Sequence, residues 1–201
     1  MKIYHYTKGF ALNSIFEDGF IATESKRGLN NAVRNVTDNV WLTEKTSYPK
    51  TALPYIRGLE ETNLRMHLSM ANVHVDLNKI GEYMGGAYRF VFITEDTRFK
   101  KWFFCEERKK MIKNTHWAFM ENVANRVGDE ARKFWISDKD VMLENFTLQV
   151  FDNGIWVDRL TNCSLSNLSE AEKTVIKEIR NASLHKCNEH GFRLDDFKKA
   201  A

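Results

Sequence analysis

The chain has 201 residues, 43% of them hydrophobic, 12% aromatic and 28% charged, a balance that fits a globular domain and excludes a disordered or fibrous chain. Its net charge of +3 and pI near 8.7 arise from acids and bases in nearly equal number, with no long block of one sign, so nucleic acid is permitted as a partner and not implied. Cys105, Cys163 and Cys187 are odd in number and widely spaced, which argues against a disulfide framework, and no apolar run approaches the roughly 20 residues of a membrane span. A soluble protein of the reducing cytoplasm, without a membrane partner, is expected.

Ile3, His5 and Thr7 alternate with Tyr4 and Tyr6, predicting a short first strand built of residues that favour extended backbone. Ala11, Leu12, Ile15 and Phe16 then recur at helical spacing, and Gly19 is placed to take the left-handed conformation that ends a helix. Residues 20–22 are expected to re-enter the sheet. Residues 23–39 turn polar and rich in Asn, with Lys26, Arg27 and Arg34 as their cations, which predicts a long loop of the kind that often carries function. Residues 40–43 read as a strand and 46–56 as a short helical or turn-rich piece holding the only two prolines, Pro49 and Pro54.

Residues 59–70 suit a helix, 73–75 a short strand, Gly85-Gly86 a turn and 88–93 a further strand. Helix formers fill 106–127 before Gly128 stops them, and 134–136 reads as a strand. Asn153-Gly154 between two extended runs, 145–151 and 155–157, is the clearest hairpin signal, because the pair supplies the positive φ angles of a type I′ turn. Ser169 with Glu172 forms a capping box that opens a C-terminal helix through Val175, Ile176 and Ile179 towards Leu184.

The opening Tyr4-His5-Tyr6-Thr7, the helix ending at Gly19, and Val40-Trp41-Leu42-Thr43-Glu44 followed by Ser47, Ala52 and Tyr55 together resemble ADP-ribosyltransferase-like proteins, small bacterial and phage members among them. The resemblance covers residues 2–56 and implies a split, mixed sheet with short helices around a cleft for NAD. It implies that His5 bonds a ribose hydroxyl, that Thr7, Thr43 and Ser47 line the cofactor site, and that Tyr55 stacks on nicotinamide opposite Tyr6 or Trp41. Stacking suits this ligand, since the cationic pyridinium ring is attracted to an electron-rich face by about 0.5 to 2 kcal/mol.

The family also carries a glutamate on a later strand, and Glu144 is the candidate here. If residues 142–150 are extended, alternation puts Glu144 on the side of Met142, Phe146, Leu148 and Val150, an apolar face where an unpaired carboxylate is costly and therefore calls for a reason. Beside the anomeric carbon it would stabilise the oxocarbenium-like charge that develops as nicotinamide leaves. Glu121 and Glu130 are weaker substitutes. Met142 stands where arginine-modifying members carry an acid or amide, which argues against arginine as the acceptor. Arg89, within the 88–93 strand, is a candidate for gripping the cofactor pyrophosphate, with Arg27 and Arg34 as alternatives. His185, Cys187 and His190 make only a poor zinc set, since His185 does not share a helical face well with the other two, and no metal is expected.

These readings describe an α+β protein with a split mixed or antiparallel sheet, short flanking helices and a C-terminal helix, with residues 1–160 as the domain and 161–201 as a helical extension packed on it. The function they imply is NAD-dependent ADP-ribosyl transfer, with NAD as substrate, to a host protein or nucleic acid, as a toxin or phage factor. The alternative is a non-catalytic binding protein or inhibitor that keeps the cleft. An RNA 2′-phosphotransferase would need a basic cluster that the sequence does not display.

Overall fold

The computed structural model describes residues 1–23, 39–52, 77, 85–111 and 115–189. The expected loop at 23–39 with Arg27 and Arg34, the helix at 59–70, the strand at 73–75, Tyr55 and His190 all lie outside the described residues, save the loop's two end positions. The strands are β1 (Lys2–Lys8), β2 (Phe20–Ile21), β3 (Val40–Thr43), β4 (Ala87–Ile93), β5 (Lys100–Lys101), β6 (Phe134–Ser137), β7 (Val141–Met142), β8 (Phe146–Asp152) and β9 (Ile155–Cys163). The helices are α1 (Gly9–Asp18), α2 (Glu106–Met111), α3 (Thr115–Arg126) and α4 (Glu170–Glu189).

Among the described residues the strands form a sheet in the order β5-β6-β3-β1-β4-β8-β9 and a separate pair, β2-β7, with every pairing antiparallel. The class is thus α+β with an antiparallel sheet, divided into two sheets but not mixed in strand direction. One expected element moves: residues 20–21 do not rejoin the main sheet but pair with β7.

β1 lies at the centre, and five of its seven residues are buried because both faces of the sheet are covered. Residues paired across antiparallel strands share a face, so the register assigns sides. Ile3, His5 and Thr7 pair with Phe92, Phe90 and Tyr88 on one face. That face carries the main core, closed by Leu12, Ile15 and Phe16 of α1 and by Ile176 and Ile179 of α4. Phe90, Phe92, Phe146 and Leu148 are at most 1% exposed, and burying a side chain of this size contributes about 1.5 to 3 kcal/mol. The opposite face holds Tyr4, Tyr6 and Val91 with Tyr48, Leu77 and Trp156, and next to them Trp41, Trp102, Phe134 and Ile136.

The local signals behave as their chemistry dictates. Gly19 closes α1 at φ 80°, its N–H donating to the Ile15 carbonyl, and Asn153 and Gly154 turn the β8-β9 hairpin with φ 47° and 88°. At the start of α4 the Ser169 amide and hydroxyl donate to Glu172 at 2.7 and 2.6 Å while the Glu172 amide donates back to the hydroxyl. The Cys163 thiol also donates to Glu172, and with the Ser169 donors it holds that carboxyl down at about 2. Ser169→Ala should lower stability by about 1 kcal/mol in thermal unfolding and Ser169→Gly by only a few tenths; equal losses would mean that the cap is not what the hydroxyl supplies. The helix continues past the expected Leu184 to Glu189, because Ser183 and Cys187 are still inward-facing.

Candidate functional site

The two segments that carry the sequence resemblance, 2–7 and 40–44, are neighbours in the sheet: Tyr4 pairs with Thr43, and the His5 ring approaches the Trp41 carbonyl at 2.9 Å. A carbonyl only accepts, so Nδ1 of His5 carries the proton in this arrangement. His5 is 6% exposed and Thr7 5%, both on the core side of β1. Tyr6, Arg89, Trp41 and Thr43 occupy the opposite side, as the pairs Tyr6 with Arg89 and Tyr4 with Thr43 require. Six of the nine expected site residues are therefore divided by the sheet, His5 and Thr7 on one side and Tyr6, Trp41, Thr43 and Arg89 on the other. The alternation of a strand predicts this split, since His5 and Tyr6 are adjacent.

On the side of Tyr6, side chains and backbone interlock. The Tyr6 hydroxyl donates to the Lys45 carbonyl at 2.7 Å and receives Nη1 of Arg89 at 3.0 Å. Nη1 also donates to the Thr46 carbonyl, and Nε donates to Gln149 at 2.5 Å. Gln149 in turn donates to Asp158 at 2.5 Å. The Arg89 guanidinium lies 4.3 Å from both the Tyr4 and Trp156 ring centres. Burial pushes the Tyr6 hydroxyl up to about 12 against the opposing pull of Arg89, and burial likewise raises Tyr48. Both phenols stay protonated at neutral pH, and the Tyr6 hydroxyl acts as a hydrogen-bonding group, not as a base.

The segment 44–51 crosses this face and is held from two directions. Tyr6 and Arg89 grip the carbonyls of Lys45 and Thr46, and Thr43 accepts the Lys45 amide at 3.1 Å. From the connection between α3 and β6, Asp129 is 0% exposed and accepts Lys45 Nζ at 2.6 Å, the Lys50 amide at 3.1 Å and the Thr51 amide at 2.7 Å. Ser47 stands exposed at the bend. Sequence reasoning missed Asp129, whose one signal was its place directly after the helix-ending Gly128, a position where an acid ordinarily faces solvent.

Trp41 packs edge-on against Trp102 at 4.9 Å and against Phe134, in an aromatic cluster at the sheet's flank. Glu144 departs from its expected place. Residues 142–150 are not one strand: Met142 ends β7, Leu143 is 1% exposed and bonded to Gly19 and Leu165, and Asn145 takes φ 49° before β8 begins. Leu143 and Phe146 both point inward, three residues apart, which resets the alternation and leaves Glu144 exposed in the turn, its carbonyl held by Arg98. An Asn tolerates the left-handed region that this reset needs.

The substitutes are occupied: Glu121 receives the Trp102 indole and Arg108, and Glu130 pairs with Lys133 and Arg132, Lys133 first, which hold its carboxyl below its usual range. Glu44, at the end of β3, is bound by Lys101 and by the Trp135 indole. In the weak zinc set, Cys187 is buried against Gly85 whereas His185 is exposed and faces Glu189. An open depression of about 410 Å³ lies at the sheet's β5 edge, lined by Lys100, Lys101, Phe104, Cys105 and Glu106, and it reaches the 40–44 motif through the bond from Lys101 to Glu44 and the packing of Trp41 beside Cys105. No family model matches the chain, and no curated protein or solved structure matches it either.

Proposed function

We propose that this chain is an ADP-ribosyltransferase-like protein that binds NAD along the β1-β3 seam and transfers ADP-ribose to a host protein or nucleic acid in the cytoplasm, in the manner of a small toxin or phage factor. The observation that carries the reading is the adjacency of the two motif segments: Tyr4 pairs with Thr43 and His5 bonds Trp41, although more than thirty residues separate them in the chain. In this reading His5 works from beneath the seam, orienting β3. Tyr6 and Thr43, buried on the other face beneath the segment 44–51, line the site from that side, and Arg89 supplies positive charge for the phosphates.

Among the described residues no helix is long and apolar enough to cross a membrane, which agrees with a soluble partner without requiring one. A second reading, a binding protein or inhibitor that performs no transfer, is favoured by one feature: the Glu144 side chain is exposed in a turn outside the seam.

Incubation with labelled NAD and cell lysate separates the two. Nicotinamide release with label on a macromolecule, reduced roughly 100-fold in Glu144→Gln with NAD still bound, supports transfer through that carboxylate. If the wild-type chain releases no nicotinamide under any condition yet captures a stable partner, the binding protein is the correct description.

A further inference from the structure

We propose that Arg89 is the receiving group of an oxyanion site, taking an oxygen of a ligand's phosphate or carboxylate group at Nη2 of its guanidinium, between Tyr4 and Trp156. Arg89 is 6% exposed, yet among the described residues none of its partners is a carboxylate: they are the Gln149 amide, the Tyr6 hydroxyl and the Thr46 carbonyl. Removing a full charge from water without an opposite charge is expensive, and the neutral acceptors and two ring faces offset only part of it. The nearest acid in the network, Asp158, reaches Arg89 only through Gln149.

The geometry also leaves a place for the missing charge. Nε and both hydrogens of Nη1 are used, whereas Nη2 donates to no described residue. Nη2 is thus the one nitrogen of an otherwise enclosed, oriented guanidinium with donors to spare among the described residues. Anchoring the Thr46 carbonyl needs a donor but not a charge. With Nε and both hydrogens of Nη1 engaged, the guanidinium is fixed by Gln149, Tyr6 and Thr46 and presents the two hydrogens of Nη2 already oriented, so an anion oxygen received there loses little freedom to side-chain ordering.

The site stands without the transferase reading. Should NAD be the ligand, its pyrophosphate is the group received; should NAD not be, the same nitrogen takes another phosphate or a carboxylate.

The test moves one negative charge by one side chain. In Gln149→Glu with Asp158→Asn the net charge of the protein is unchanged and the side-chain hydrogen bond between 149 and 158 is preserved, but Arg89 acquires its own carboxylate. Calorimetric titration at low ionic strength uses inorganic pyrophosphate and ADP-ribose as phosphate probes, succinate as the carboxylate probe and nicotinamide riboside as the uncharged-backbone control. The expected result is binding of pyrophosphate and ADP-ribose, or of succinate if the source is a carboxylate, weakened at least tenfold in the double variant, with thermal stability equal to or above wild type. Equal affinity in both proteins, or no binding by any of the three anions to the wild type, overturns the proposal. Anion binding without nicotinamide release would remove the transferase reading and leave this site standing.

Discussion

Asp129→Ala is expected to lower stability by about 3 kcal/mol, read as a shift of the urea midpoint at constant slope, the largest loss for any single acid in the described protein. The carboxylate is 0% exposed and its loss takes an acceptor from three donors at once: the amides of Lys50 and Thr51, and Lys45 Nζ, which keeps the Gly128 carbonyl at 3.1 Å. The figure sits at the lower end of what breaking a buried pair costs because the Lys45 side chain is 20% exposed and can rehydrate. Two comparisons fix the interpretation. Asp129→Asn keeps an acceptor for only one of the two amides, since Lys50 bonds Oδ1 and Thr51 bonds Oδ2, and should cost less than the alanine, whereas Glu106→Ala removes an exposed pair with Lys109 and should change stability by less than about 0.5 kcal/mol. A loss below about 1 kcal/mol for Asp129→Ala would show that the segment 44–51 is held chiefly from the sheet, by Tyr6, Arg89 and Thr43.

That segment is where the candidate site and the fold meet. Its carbonyls are bound from the sheet and its amides from Asp129, so it is fixed by charges of opposite sign on its two sides. Loosening it frees the Thr46 carbonyl from Arg89, which links the stability of the loop to the orientation of the guanidinium. Asp129 is in this sense a positioning residue for the Arg89 edge, and its removal should weaken anion binding together with stability.

The parts of the fold that were legible in the sequence are those decided locally. Gly19, Asn153-Gly154 and the Ser169-Glu172 box act within a few residues of themselves, through the steric freedom of glycine or a side chain reaching its own backbone, so no tertiary information was needed. The central strands were legible because β-branched and aromatic residues have few other uses in such runs. What failed depended on partners. Residues 20–21 look like any short strand, and only Met142 and Val141 opposite them decide which sheet they join. Glu144 was misplaced because period-two reasoning assumes an unbroken strand, and the need to bury Leu143 against the end of α1 breaks it. The division of His5 from Arg89 was readable in principle, since alternation within β1 and the register with β4 dictate it, but the register is a long-range fact.

At the seam between α4 and the start of α1, helix and turn approach too closely for side chains. Gly85→Ala should cost about 3 kcal/mol from two sources acting together. Gly85 sits at φ 75°, a region that costs an L-residue roughly 1 to 2 kcal/mol, and a Cβ built there lies 2.6 Å from Cys187 Sγ and 2.7 Å from the Ser183 carbonyl. The carbonyl belongs to helical backbone and cannot swing away, so overpacking adds about 1 to 3 kcal/mol. Gly154→Ala isolates the first source, because Gly154 has φ 88° but nothing within 4 Å of its added carbon, and should cost about 1 kcal/mol. The difference between the two variants in urea unfolding measures the closeness of α4 itself. If they are equally destabilised, Ser183 and Cys187 do not press on the turn, and α4 is docked by Ile176, Ile179 and the hydrogen bond from Arg180 to Asn13. If Gly85→Ala costs about 2 kcal/mol more, the C-terminal helix and the turn that launches β4 are one packed unit. Because β4 carries Arg89 four residues further on, loosening α4 then reaches the candidate site through the strand that holds it.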